Sequence, residues 1–131
     1  MDRTLPVLDA LLTTLKADAT LSGIVSDRIY THPPQNPVYP LVLIGLNSGP
    51  SNYIGEIGQT HEITCQAFSE KHTPHQVLNI TATIHNLLHR TDLSISAGVA
   101  TSFRHERSDL ILEDDNKSYQ GIIVFTIDSY S

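Results

Sequence analysis

The chain has 131 residues, a formal net charge of −6, 40% apolar residues and 17% charged ones. That length suits one domain, spanning 1–131, with a single core. Its 8 Lys plus Arg form no basic run, which argues against nucleic-acid binding, because attraction to phosphates needs clustered cations.

Cys65 is the only cysteine, so no internal disulfide can form and a reducing compartment suits the chain. The N-terminal Met-Asp-Arg-Thr-Leu-Pro has no apolar h-region or cleavage site, and no apolar run approaches a membrane span. A protein made in the cytoplasm without signal peptide or membrane segment is expected. The low charge leaves a surface rich in Ser, Thr, Asn, Gln and His, compatible with protein–protein contact.

Leu5, Leu8, Leu12 and Leu15, with Leu11 beside them, form one apolar stripe and predict a helix from about Thr4 to Lys16. Pro6 is tolerated in its first turn. Asp18–Val25 carries Leu21, Ile24 and Val25 around Gly23 and reads as a turn with one helical turn. Ile29–Tyr30 reads as a short strand. Pro33, Pro34, Pro37 and Pro40 then make a stiff extended arm, since proline fixes φ and removes a donor.

Leu41–Leu46, apolar on both faces, predicts a central strand. Asn47–Gly58, with Gly49-Pro50, Gly55 and Gly58, predicts a long loop. Thr60–Phe68 alternates, with Ile63, Cys65 and Ala67 inward and Glu62, Thr64 and Gln66 outward. Cys65 is thereby a small core residue.

The next helix opens at Pro74 with Thr73 as N-cap, and it buries Val77, Ile80, Ile84, Leu87 and Leu88. Leu93–Ile95 reads as a brief strand. Val99–Asp109 and Leu110–Glu113 read as one long, bent strand that buries Phe103. Asp114–Lys117 is a polar hairpin turn, and Ser118–Ser129 is the last strand. Both helix stripes are buried if the fold is α+β: a single two-layer domain, a mainly antiparallel sheet of about four strands with two helices on one face.

No constellation speaks for catalysis. There is no Gly-x-Ser-x-Gly elbow, Cys65 lies mid-strand, and Asp114 and Asp115 are solvated at a turn. The glycines of the long loop do not cradle phosphate, and His105-Glu106-Arg107 reads as a solvated face. His85 and His89, i and i+4 on a helix, could share a metal, but no third ligand stands out and Asn86 replaces a zinc-protease glutamate. The expectation is no enzyme, no cofactor and no metal, with a small His-based metal- or ligand-binding domain as the distant alternative.

Three stretches carry a family resemblance: "LSGIVSDRIYTHPPQNPVYPLVLIG", "HEITCQAFSE" and "LILEDDNKSYQGIIVFTI", with a helix ending "IHNLLHR" between the last two. The chain resembles the tail-completion, or tail-terminator, proteins of long-tailed phages, prophages and gene transfer agents, formerly a family of unknown function. The likeness spans about residues 5–128 and is carried by shape-like signatures rather than catalytic motifs. It implies a virion protein that forms a ring, commonly a hexamer, on the head-proximal end of the tail tube. Such a ring ends tube polymerisation and joins the tube to the head-side connector. The number of histidines departs from many relatives.

A closed head-to-tail ring is the physical form such a cap takes. A net negative charge suits a lumen that DNA traverses without specific binding. Contact residues are expected in the long loop at Tyr53 and Ile54 and at the hairpin tip Asp114, Asp115, Asn116 and Lys117, with the proline arm as a third strut. Another neck component, a stopper or adaptor, is the nearer alternative.

Overall fold

The computed structural model describes residues 3–51, 55–71, 73–95, 98–113 and 118–130. The chain opens with two helices, α1 (Thr4–Ala17) and α2 (Ala19–Val25), and a two-residue strand, β1 (Ile29–Tyr30). Two long strands follow, β2 (Leu41–Ser51) and β3 (Gly55–Ser69), then α3 (His75–Leu88). The chain closes with β4 (Leu93–Ile95), β5 (Gly98–Leu112) and β6 (Tyr119–Tyr130). The strands form one six-stranded sheet in the order β1-β2-β3-β6-β5-β4. Among the described residues only β1 and β2 pair in parallel. This is the expected α+β fold; the two short strands read at Ile29–Tyr30 and Leu93–Ile95 join the sheet and bring it to six strands rather than about four, and α2 makes a third helix.

Alternation decides which face is covered. Ile63, Cys65 and Ala67 of β3 stand beside Phe125, Ile123 and Gly121 of β6, and all belong to the helix-covered face. α3 meets that face with Val77, Ile80, Ile84 and Leu88, each fully buried. Phe103 of β5 and Phe125 close the core edge-to-face at 6.0 Å, a geometry that aromatic quadrupoles favour.

The centre of α1 differs from the predicted stripe. Val7, Leu11 and Leu15 are fully buried, Leu8 and Leu12 are shoulders, and Leu5 is 65% exposed. The apolar arc of this helix is wider than one stripe, and the sheet takes its i, i+4, i+8 line. Asp18 joins the first two helices by accepting the Leu21 N–H at 2.9 Å, an N-cap that turns the expected single turn into a short helix. At α3 the expected Thr73 cap is not made. Pro74 holds the N-cap position with helical φ and ψ of −76° and −5°, and no side chain caps the end.

The predicted long loop is largely sheet. Asn47 pairs with Glu62, Ser48 with His61, Gly49 with Thr60 and Pro50 with Gln59. β1 covers β2 only at Val42 and Leu43. Beyond these the outer edge of β2 has no described partner, so Pro50 removes no ladder bond there. The predicted bend in β5 is present as register shifts at Thr101/Arg104 and His105/Arg107. At the first shift the chain after α3 reaches across: Arg90 N–H donates to the Phe103 carbonyl and Phe103 N–H to the Thr91 carbonyl.

Candidate functional site

The residues chosen from the sequence, Tyr53 and Ile54 in one group and Asp114, Asp115, Asn116 and Lys117 in the other, lie outside the described residues. The strand arms that lead into them are described. Ser51 and Gly55 end the β2–β3 ladder beside the β6 terminus, where Gly58 pairs with Tyr130. Leu112, Tyr119 and Ser69 align at the opposite end. The two strand arms therefore end at opposite ends of the sheet. The proline arm is mostly exposed, and Arg28 Nε fastens its last residue through the Pro40 carbonyl at 2.8 Å.

His85, His89 and His105 come together where α3 meets β5. The His85 and His89 rings stack at 4.8 Å, and His105 of β5 meets His85 edge-on at 4.9 Å. Phe125 lies 5.8 Å from His105 and 6.3 Å from His85. His105, Glu106 and Arg107 are all exposed, the solvated face read from the sequence, and His105 meets α3 through its ring. His89 Nδ1 is buried with no hydrogen-bond partner among the described residues. Burial first, then the charges of His85, Arg90 and His105, hold its pKa below the ordinary 6.5. Among the described residues no group of three or more His, Cys, Asp or Glu is arranged to hold a metal ion.

His61 is a second polar feature that sequence reading missed. It is fully buried between two hydroxyls, Ser48 Oγ at 2.6 Å from Nδ1 and Ser129 Oγ at 2.7 Å from Nε2. Arg3 Nε donates to the same Ser129 Oγ at 3.2 Å, and the Arg3 backbone N–H to Gln59 Oε1 at 2.6 Å. A serine beside an imidazole can resemble a nucleophile and its base, but this ring is sealed from solvent and its neighbours satisfy both nitrogens. Its signal in the sequence was only a histidine at an inward position of β3. Cys65 is equally sealed, its thiol pushed up to about 12 by burial, so it carries no thiolate chemistry at neutral pH.

At the Leu112–Tyr119 end of the sheet a cavity of about 440 Å³ opens. Three aromatic side chains, Tyr39, Phe68 and Tyr119, and two carboxylates, Glu70 and Glu113, line it. Leu110 and Leu112 of β5, 43% and 47% exposed, lie at the same end.

Buried polar groups brace the fold, Cys65 and His61 are sealed from solvent, and a cavity with aromatic lining opens at one end of the sheet. The chain belongs to the tail completion family described as "Tail completion protein gp17", whose model matches residues 9–127. Its fold is shared with a chain from a structure of the "Virion of native gene transfer agent (GTA) particle", with a TM-score of 0.82 at 18% identity over 96% of each chain. No curated protein matches it in sequence. Family membership makes it a structural component of the tail or neck of a phage-type virion.

Proposed function

We propose that the chain assembles as a ring, a hexamer, on the head-proximal end of a tail tube, where it ends tube polymerisation and receives the head-side connector. The observation that carries this reading is the tail completion match across residues 9–127. The placement of the two strand-arm ends supports it, since a part that meets a tube on one side and a connector on the other needs two separated contact regions. Tyr53 and Ile54 serve one region, and Asp114, Asp115, Asn116 and Lys117 the other. The role is structural rather than catalytic. DNA passes the lumen without specific binding, kept from the wall by a protein of net charge −6.

Native mass across a concentration series, with and without purified tail tubes, tests the reading. The expected result is a discrete species of about six subunits, alone or at tube ends, as closed head-to-tail contacts require. Replacing both Tyr53 and Ile54 by Ser should weaken that species without lowering the melting temperature. A chain that stays monomeric and leaves tube ends bare would end the proposal.

A further inference from the structure

We propose that the cavity between Tyr39, Phe68 and Tyr119 is a receptor for a lysine or arginine side chain presented by a different protein of the assembled particle. The walls argue for that chemistry. Aromatic faces attract cations through their quadrupole, and a carboxylate at the rim adds a charge-assisted hydrogen bond. Glu70 and Glu113 both line the cavity, and among the described residues no Lys, Arg or His lines it. Among the described residues neither carboxylate is held by a hydrogen bond or an ion pair. Two carboxylates line the cavity with Tyr39 and Phe68, Tyr119 standing on the helix-covered side of the sheet, and with neither carboxylate neutralised among the described residues this lining suits a cation.

The scaffold that holds the walls is fixed. Phe68 and Tyr119 belong to strands in register with each other, Phe68 opposite Gln120 and Ser69 opposite Tyr119. Ser69, nearly fully buried, donates to Gln76 Oε1 at 2.7 Å and accepts the Lys71 N–H at 3.0 Å. These bonds hold the chain at Glu70 against the first turn of α3. Glu113 is held by its N–H to the Ser118 carbonyl at 2.9 Å. Tyr39 is carried by the proline arm, whose end Arg28 fastens.

Charge selects the donor. The chain carries 14 acidic against 8 basic residues, so a second copy brings net repulsion to the cavity. Several of its cations are already committed: Arg104 to Asp128, Arg107 to Asp109 and Arg28 to Pro40. A basic protein meets the cavity with attraction, which also speeds its capture. That the donor is a protein of the particle rests on the assembly role proposed above; that the cavity takes an alkylammonium or guanidinium group does not.

The test is a titration of the wild-type chain with butylamine, butylguanidinium and, as the uncharged control, butanol, read by amide NMR shifts at Phe68, Ser69 and Tyr119. The two cations should give saturable shifts confined to these positions, weakened about tenfold in the doubly substituted Glu70→Gln/Glu113→Gln chain. Butanol should give none. Equal shifts with butanol, or shifts that survive the double substitution, overturn the proposal. An unchanged melting temperature shows that the variant is folded, and Tyr39→Ala, on an exposed arm, provides a second probe. The double variant should also lose incorporation into particles while wild type retains it. If wild type binds the cations but never caps tubes, the assembly role fails and the cavity stands; if it caps tubes but ignores the cations, the reverse holds.

Discussion

His89 shows how one residue couples the fold to pH. Its pKa is lowered in the folded chain, by burial first and then by its cationic neighbours. The unfolded chain therefore takes the proton more readily. The sign follows: stability is intact above the ordinary value of 6.5 and falls as pH drops below it and through the lower folded value. Denaturant unfolding between about pH 7 and about pH 5 should show this loss, and His89→Phe, which keeps a ring against His85, should flatten the slope. An unflattened slope would mean that other titrating groups carry it. His61 shows the opposite design, with hydroxyls on both nitrogens and no orphaned atom. No sequence pattern separates these two histidines; only the neighbours that the fold supplies do.

Among the elements, α3 seats closely on β6 at Gly121. A Cβ added at Gly121 would lie 3.0 Å from Thr81 Cγ2 and 3.3 Å from Val77 Cβ. Gly121→Ala should therefore cost about 1–3 kcal/mol, measured by chemical denaturation, because helix or strand must move apart. Gly45→Ala is the control: its nearest atoms are 4.0 Å away, and a change within about 0.5 kcal/mol is expected.

What was legible in the sequence was periodicity. The alternation of Ile63, Cys65 and Ala67, the stripe of α3 and the two long strands that close the chain all emerged as read. The short strands at Ile29–Tyr30 and Leu93–Ile95 were read too, with the bounds they have. Two things were not legible. Gly49-Pro50 looks like a chain breaker, yet it lies in a strand whose outer edge, beyond Val42 and Leu43, has no described partner. The cavity gathers Tyr39, Phe68 and Tyr119 from three separate elements, so no local motif encodes it. The residues backed as contacts, Tyr53, Ile54 and Asp114–Lys117, remain expectations drawn from loop chemistry.

For the whole molecule, the short strands β1 and β4 matter because they leave long strands uncovered. β4 pairs with β5 only over Gly98–Ala100, so Arg104–Leu112 is an open edge among the described residues, ending in exposed Leu110, Ile111 and Leu112. Uncovered aliphatic edges invite unwanted pairing. Leu112→Lys should reduce light scattering of the isolated chain on concentration while costing less than about 1 kcal/mol, since the side chain is half exposed. Undiminished scattering would place the sticky surface elsewhere.

The bond from Arg3 to Ser129 spans 126 positions of sequence. It lays the first turn of α1 beside the end of β6, so the polypeptide nearly closes on itself. A short linker could join start to finish, and new ends could be cut within the exposed proline arm without parting any strand pair. The order in which the chain is written is thus separable from the shape it builds, and a fluorescent or affinity label attached beside Arg3 or Ser129 would emerge at the end of β6 away from the cavity.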